Sequence, residues 1–228
     1  MPYLTAPSSA IGEKGFMELE SRRREYQYSD LRRDRLDDSP FKQFDCWMQQ
    51  AIDADIQDPT AMVLATVGPD GKPSQRIVLL KRFGTRGFDF YTNTHSRKAK
   101  EISVNNNVSL LFPWLKLDRQ VIVEGRAERL KMASVFKYFL NRPRESQLAA
   151  WSSAQSQRID TRSILEAEFL RMQIKFARKE IPLPTFWGGY RVIPYRWEFW
   201  QGGEQRLHDR FEYVQCSGKG WEINRLAP

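Results

Sequence analysis

Four short clusters in this sequence carry residue types that could hold anions or move protons. In Ser96-Arg97-Lys98, Ser96 reads as a helix N-cap, which puts Arg97 and Lys98 in the first turn. Cations are disfavoured at that positive end of the helix dipole, and a phosphate accepting first-turn N–H bonds would resolve the conflict. Long side chains swinging into solvent would resolve it equally well. In Arg206-Leu207-His208-Asp209-Arg210, strand alternation would put Arg206, His208 and Arg210 on one face. Such a face needs water or an anion, and the preceding Trp200-Gln201-Gly202-Gly203 offers an aromatic surface for a flat ring. An edge strand carrying protective charge is the plainer reading. Tyr138 and Arg142, four apart on a helix face and followed by Pro143 and Ser146, could clamp a phosphate or be ordinary surface. Arg76 and Lys81 bracket the apolar run Ile77-Val78-Leu79-Leu80. A strict period of two puts them on opposite faces, so either they serve different groups or a bulge intervenes.

The elements that must position these clusters are mostly strands. Residues 1–30 show no sustained periodicity and read as a mobile arm, and 34–38 as irregular. Ser39-Pro40 opens an amphipathic helix that runs to about Asp55, with Phe41, Phe44, Met48, Ala51 and Ile52 at helical spacing. Strands are expected at Thr60–Val67, Ser74–Lys81, Phe88–Asn93, Val108–Trp114 and Gln120–Leu130, with a short helix after Ser96. Met132–Leu140 reads as helical. Asp160 is expected to cap a longer helix whose apolar stripe is Ile164, Leu165, Phe169, Met172 and Phe176. Strands return at Tyr190–Trp200, His208–Cys216 and Trp221–Arg225. Antiparallel strands with inserted helices and no βαβ rhythm predict a mainly β fold, a small barrel with peripheral helices.

Composition narrows the function classes. The chain has 228 residues, 41% of them hydrophobic and 13% aromatic, which excludes wholesale disorder. No window approaches the roughly 18 apolar residues of a membrane span, and no secretory signal is visible at residues 1–15. There is no G-x-G-x-x-G and no P-loop motif. Cys46 and Cys216 stand far apart, and His95 and His208 are the only histidines, so no metal site is expected and a reducing cytoplasm suits the pattern. The net charge of +8 and pI near 9.6 admit a nucleic-acid-binding module. Dispersed short clusters on different elements fit small phosphorylated ligands better than a continuous basic stripe would.

Long ordered segments also carry a family resemblance: Arg-Ile-Val-Leu-Leu-Lys at 76–81, Phe-Tyr-Thr-Asn at 90–93, Ser-Leu-Leu-Phe-Pro-Trp at 109–114 and Tyr-Phe-x-x-Arg-Pro-Arg at 138–144. Phe-Trp-Gly-Gly at 186–189, Glu-Phe-Trp-Gln-Gly at 198–202, Arg-Leu-His-Asp-Arg at 206–210 and the final Arg-Leu-Ala-Pro follow in order. From about Arg23 onward the chain resembles the pyridoxine/pyridoxamine 5'-phosphate oxidases, which have an FMN-binding split β-barrel. The resemblance implies a split-barrel oxidase domain over 31–228 and an FMN site made by Arg76, Ile77, Val78, Leu79, Leu80, Lys81, Tyr91, Thr92, Arg97 and Lys98. Gln120, Gln155, Ser156, Trp200 and Arg210 would complete that site, some of them from the second subunit of a homodimer. Lys81, Tyr138, Arg142 and Ser146 would bind the substrate phosphate. Arg206, Leu207 and His208 would lie over the substrate ring, with Arg206 and His208 as the catalytic pair. Arg23, Arg24 and Tyr26 would form part of a lid. Ala154 departs from the family pattern, in which a bulkier or basic residue is expected.

The implied reaction oxidises C4' of pyridoxine or pyridoxamine 5'-phosphate to give pyridoxal 5'-phosphate. O2 is the acceptor, H2O2 is released, and the amine substrate also releases NH3. Two rivals stand beside it: a split-barrel FMN reductase or FMN-binding protein with another substrate, and the basic nucleic-acid module.

Overall fold

The computed structural model describes residues 19, 25, 26, 30–218 and 220–228. Nine strands form one antiparallel sheet: β1 (Ala61–Val67), β2 (Pro73–Leu79), β3 (Arg82–Gly84), β4 (Gly87–Asn93), β5 (Asn107–Trp114), β6 (Arg119–Arg129), β7 (Trp187–Gln201), β8 (Asp209–Gln215) and β9 (Trp221–Leu226). The order is β2-β1-β5-β6-β7-β4-β3, with β8 on β7 and β9 on β8. Among the described residues five α-helices accompany it: α1 (Pro40–Asp53), α2 (Arg97–Val104), α3 (Met132–Leu140), α4 (Arg144–Ser152) and α5 (Arg162–Lys175).

The fifteen-residue β7 organises the sheet. Trp187–Val192 pairs with β4, Arg196–Gln201 pairs with β8, and β6 runs along both halves. Opposite Glu124 and Gly125 the register skips Tyr195, a one-residue bulge beside Pro194, which has no N–H to give the ladder. The extra residue reverses which parity faces inward. Tyr190 and Val192 are buried before it; Trp197 and Phe199 are buried after it.

Helix α1 plugs the sheet with aromatic side chains. Phe44, fully buried, has its ring within 6 Å of the rings of Phe83, Phe88, Phe112, Trp114 and Trp197. Pro40 sits at the first helical position as expected, but the Ser39 hydroxyl makes no cap bond. Instead the Ser39 N–H donates to Asp37 Oδ1 at 2.8 Å. A second cluster, Phe139, Leu148, Ala150, Met172, Phe176 and Ile181, joins α3, α4 and α5.

Several expectations are corrected here. Helix α4 was not foreseen. Thr161 rather than Asp160 precedes α5, and of its expected stripe Met172 and the following Phe176 are buried while Ile164 and Leu165 stay exposed. Strand β8 starts at Asp209, so Arg206 and His208 lie outside it. Among the described residues no helix is long and apolar enough to cross a membrane.

Candidate active site

A cavity of about 730 Å3 opens between the outer face of β2, β4, the start of α2 and the α3–α4 corner. Fourteen expected residues line it: Arg76, Ile77, Val78, Leu79, Lys81, Tyr91, Thr92, Arg97, Lys98, Tyr138, Arg142, Ser146, Gln155 and Ser156. Ser74, Gln75, Pro143 and Trp187 complete the wall, and no carboxylate is among the lining residues. Leu80 is the exception in its run. Its side chain is buried in the core, so it does not reach the cavity.

The exit from β2 explains how Arg76 and Lys81 share one cavity despite their odd spacing. Strand pairing ends at Leu79; the Leu80 N–H donates to Thr60 O, and the Lys81 N–H donates to Asp89 O on β4. The chain thus crosses from one ladder to another at Leu80, and the alternation restarts. A crossover, rather than a bulge within β2, therefore brings both side chains to one cavity.

Three of the cations are held by hydrogen bonds, two of them on one shared carboxylate. The Arg76 guanidinium donates to Leu64 O at 3.0 Å and to the hydroxyls of Thr66 and Ser74, with Glu101 at 3.4 Å. Arg97 Nε donates to Glu101 Oε1 at 2.7 Å. Lys98 Nζ is buried and donates to Thr92 Oγ1 at 3.1 Å and to Gln155 Oε1 at 3.3 Å, all neutral partners. Burial, with a smaller push from Arg76, lowers its pKa to about 8. The loop that delivers Gln155 and Ser156 is tied to β4 by Thr92 and by Asn93, whose side chain donates to Ser153 O.

Arg142 follows α3 and lies over Trp187, with Cζ 4.4 Å from the ring centroid. Its Nη1 is buried without a hydrogen-bond partner among the described residues, and burial lowers its pKa. Tyr138 stacks on Tyr91 at 3.7 Å between ring centroids and 7° between planes. Gly189 allows this arrangement, since a Cβ there would come within 2.8 Å of the Tyr91 ring. Sequence reasoning passed over Trp187 as a functional residue, although it lies within the Phe-Trp-Gly-Gly segment. The missing signal was the cation above it, 45 positions earlier in the chain.

The other expected residues gather elsewhere. A second cavity of about 650 Å3 is lined by Tyr26, Leu115, Lys116, Asp118, Arg119, Gln120 and Trp200, and no residue lines both cavities. Tyr26 meets Trp200 and His208 edge-on, at 5.7 and 5.2 Å between centroids, and Trp200 lies 4.7 Å from His208. His208 Nδ1 accepts the Gly203 N–H at 3.2 Å, which leaves Nε2 as the nitrogen that carries or yields a proton.

Arg206, His208 and Arg210 do not form one strand face. Gln205 and Arg206 both adopt positive φ, 52° and 66°, in a tight turn before β8. Arg206 and Leu207 are exposed there. Arg210 forms a two-pronged pair with Glu198, at 2.9 and 3.1 Å, and lines neither cavity. Arg23 and Arg24 lie outside the described residues. Among the described residues no group of His, Cys, Asp and Glu could hold a metal.

Residues 48–176 match the family model of pyridoxamine 5'-phosphate oxidase. The chain belongs to the pyridoxamine 5'-phosphate oxidase family. Residues 187–228 also match the pyridoxine 5'-phosphate oxidase C-terminal dimerisation region. Among relatives in this oxidase family, the pyridoxine/pyridoxamine 5'-phosphate oxidase of Pseudoalteromonas translucida is 56% identical over 93% of this chain and 100% of its own. That of Shewanella frigidimarina is 56% identical over 92% and 99%. Among solved structures, PhzG from Burkholderia lata, in complex with tetrahydrophenazine-1-carboxylic acid, superposes with a TM-score of 0.83 at 27% identity, covering 90% of this chain and all of that one. A pyridoxamine 5'-phosphate oxidase-related, FMN binding protein from Nostoc punctiforme gives 0.68 at 15% identity, covering 83% and 98%, and shares the fold.

Proposed function

We propose that this protein oxidises pyridoxine 5'-phosphate and pyridoxamine 5'-phosphate to pyridoxal 5'-phosphate as an FMN-dependent homodimer. O2 accepts the electrons, H2O2 is released, and the amine also yields NH3. The observation that carries this reading is the cavity lined by five cations and no carboxylate, with the cations in two groups on different elements. Arg76, Arg97 and Lys98 hang from β2 and α2; Arg142 lies with Tyr138 and Ser146 at the α3–α4 corner, and Lys81, just past β2, completes the five. Two groups fit two phosphates, one on the cofactor and one on the substrate.

FMN fits these residues. Lys98 is buried among neutral acceptors, and Arg142 Nη1 is buried with none, so each has a place for an anion. The volume lies in the range of cavities that enclose a ligand of this class. Arg76, Arg97, Lys98, Thr92 and Gln155 would hold FMN. When bound, FMN supplies the redox chemistry, accepting hydride from C4' and returning electrons to O2. The protein's own part is position. Arg142, Ser146, Tyr138 and Lys81 fix the substrate phosphate, while Arg206 and His208 orient the ring, with His208 Nε2 as the site for proton exchange.

The separation of the two cavities on one chain supports a site shared between subunits. Gln120, Trp200, Arg206 and His208 would face the cation cavity of the second copy, in line with the dimerisation region matched at 187–228. Tyr26 against Trp200 and His208 supports a lid role for the 23–26 segment, within an N-terminal arm of residues 1–30 beside the 31–228 oxidase domain. Two exposed free cysteines, Cys46 and Cys216, agree with a reducing cytoplasm.

The test is an absorbance spectrum of the purified protein before and after anaerobic addition of pyridoxine 5'-phosphate. Flavin bands that bleach on addition are expected. A protein that cannot take up FMN would sink the proposal. Flavin bands that persist with both vitamers would assign the cavity to another substrate.

A further inference from the structure

Behind the cation wall lies a carboxylate that does not line the cavity. Glu101, on α2, has a side chain only 6% exposed, yet it ties two elements of the wall, α2 and β2, to β1 behind them. Its Oε1 accepts from Arg97 Nε at 2.7 Å. Its Oε2 accepts from Thr66 Oγ1 at 2.5 Å on β1 and Ser74 Oγ at 2.6 Å on β2, with Arg76 Nη2 at 3.4 Å. Burial alone would raise its pKa, but the bonds from Ser74, Thr66 and Arg97 bring it down to about 2, so it is ionised at every working pH.

Two guanidiniums lining one cavity repel each other; burial does most to push the Arg76 pKa down, Glu101 opposes it, and Arg97 adds a smaller downward push. A buried anion between them offsets that repulsion and fixes where each points. Arg97 directs Nε at Glu101, and no described residue takes a bond from its Nη1 or Nη2. Both outer nitrogens are therefore open to solvent or to an anion in the cavity that Arg97 lines. The cations Arg76, Arg97 and Lys98 against the one carboxylate leave two net positive charges at this end, which matches a phosphate monoester dianion.

We propose that Glu101 is a positioning residue that aligns Arg76 and Arg97 and so selects a flavin bearing a 5'-phosphate over riboflavin. This rests on the reading of the cavity as the FMN site. It separates Glu101 from a plain tie between α2 and the sheet, which would affect both flavins alike. It also separates Glu101 from a carboxylate that merely repels the ligand phosphate, whose removal would tighten FMN.

The full-length protein, stripped of flavin, is titrated with FMN and separately with riboflavin, reading flavin fluorescence. In wild type FMN should bind far more tightly. Glu101→Gln should weaken FMN about 10- to 100-fold and riboflavin less than about twofold. Arg97→Gln, at a mostly exposed side chain, supplies the second arm of a cycle. In that background Glu101→Gln should cost FMN much less, because its effect travels through Arg97. Should Glu101→Gln fail to fold, Glu101→Asp keeps the charge and should give a smaller FMN loss with riboflavin unchanged. Equal loss of both flavins, tighter FMN, or full additivity with Arg97→Gln would each overturn the proposal. A wild type that does not prefer FMN would overturn the cavity reading instead, a failure visible before any variant is made.

Discussion

In the cation cavity nearly every charged side chain is anchored from behind. Arg76 and Arg97 lean on Glu101, Lys98 on Thr92 and Gln155, and Arg142 on the Trp187 ring. Around residues 202–208 the arrangement is different. Arg206 is exposed on a left-handed turn and donates no hydrogen bond to a described side chain, and His208 is held through a single backbone N–H, the Tyr26 ring edge-on and a tilted Trp200 ring. The first region is built in advance on strands and helix ends, as suits a cofactor that stays bound and a fixed seat for a substrate phosphate. The second keeps adjustable parts, as suits a ligand that enters, turns over and leaves.

Substitutions can break or sharpen this contrast. Arg142→Ala should have the largest effect, since it removes a buried guanidinium whose free nitrogen awaits an anion. The loss should be about 3 kcal/mol of substrate binding, ~100-fold in KM, while FMN stays bound. Steady-state kinetics with a flavin spectrum checks both halves, and loss of the flavin would erase the division between the two phosphate groups. Gly203→Ala should come next. A Cβ there would stand 2.3 Å from Leu207 O, so the turn must shift at a cost on the order of 1–3 kcal/mol. Turnover should fall with FMN retained, measured by urea unfolding and single-turnover assays. Matching loss of FMN would mean that the turn is as much a part of the cofactor's hold as the wall.

A third effect is smaller and depends on pH. Burial holds the Lys98 pKa near 8, and a bound phosphate would raise it. Below pH 8 the amine is already charged, so binding takes up no proton. Above pH 8 binding must take one up, and FMN affinity should fall by about tenfold per pH unit. Fluorescence titration from pH 7 to 9.5 reads this, and Lys98→Met should flatten the profile. The smallest effect is expected at Leu207, 69% exposed, where Leu207→Ser should change stability by less than about 0.5 kcal/mol. A larger fall in melting temperature would show the turn to be packed more firmly than its exposure implies.

Much of the frame was legible because it follows local rules. The helix Met132–Leu140 and the strands flanking the cavity follow from period and turn residues, and the ordered motifs identified the family. What escaped was set by contacts distant in sequence. Helix α4 buries little beyond Leu148 and Ala150, so its pattern barely differs from a polar loop. The restart of alternation at Leu80 depends on Asp89 and Thr60 capturing consecutive N–H groups. Period-two reasoning over 206–210 assumed a strand already formed at Arg206, whereas two consecutive left-handed residues delay it to Asp209. Glu101 drew no notice because a lone acid among Lys and Arg reads as ordinary helix surface.

The length of β7 has a genetic consequence. Trp187, under Arg142, and Trp200, beside His208, stand thirteen residues apart on this one strand, a span on the order of 40 Å at the usual rise. Under a shared-site dimer, an allele damaged at Arg142 and an allele damaged at His208 carry their lesions in different halves of the catalytic apparatus. Co-expressed, they would form mixed dimers in which one site inherits both lesions and the other inherits neither. Two inactive alleles should therefore complement, up to half the activity per mixed dimer, and a cell carrying both should grow where neither parent does.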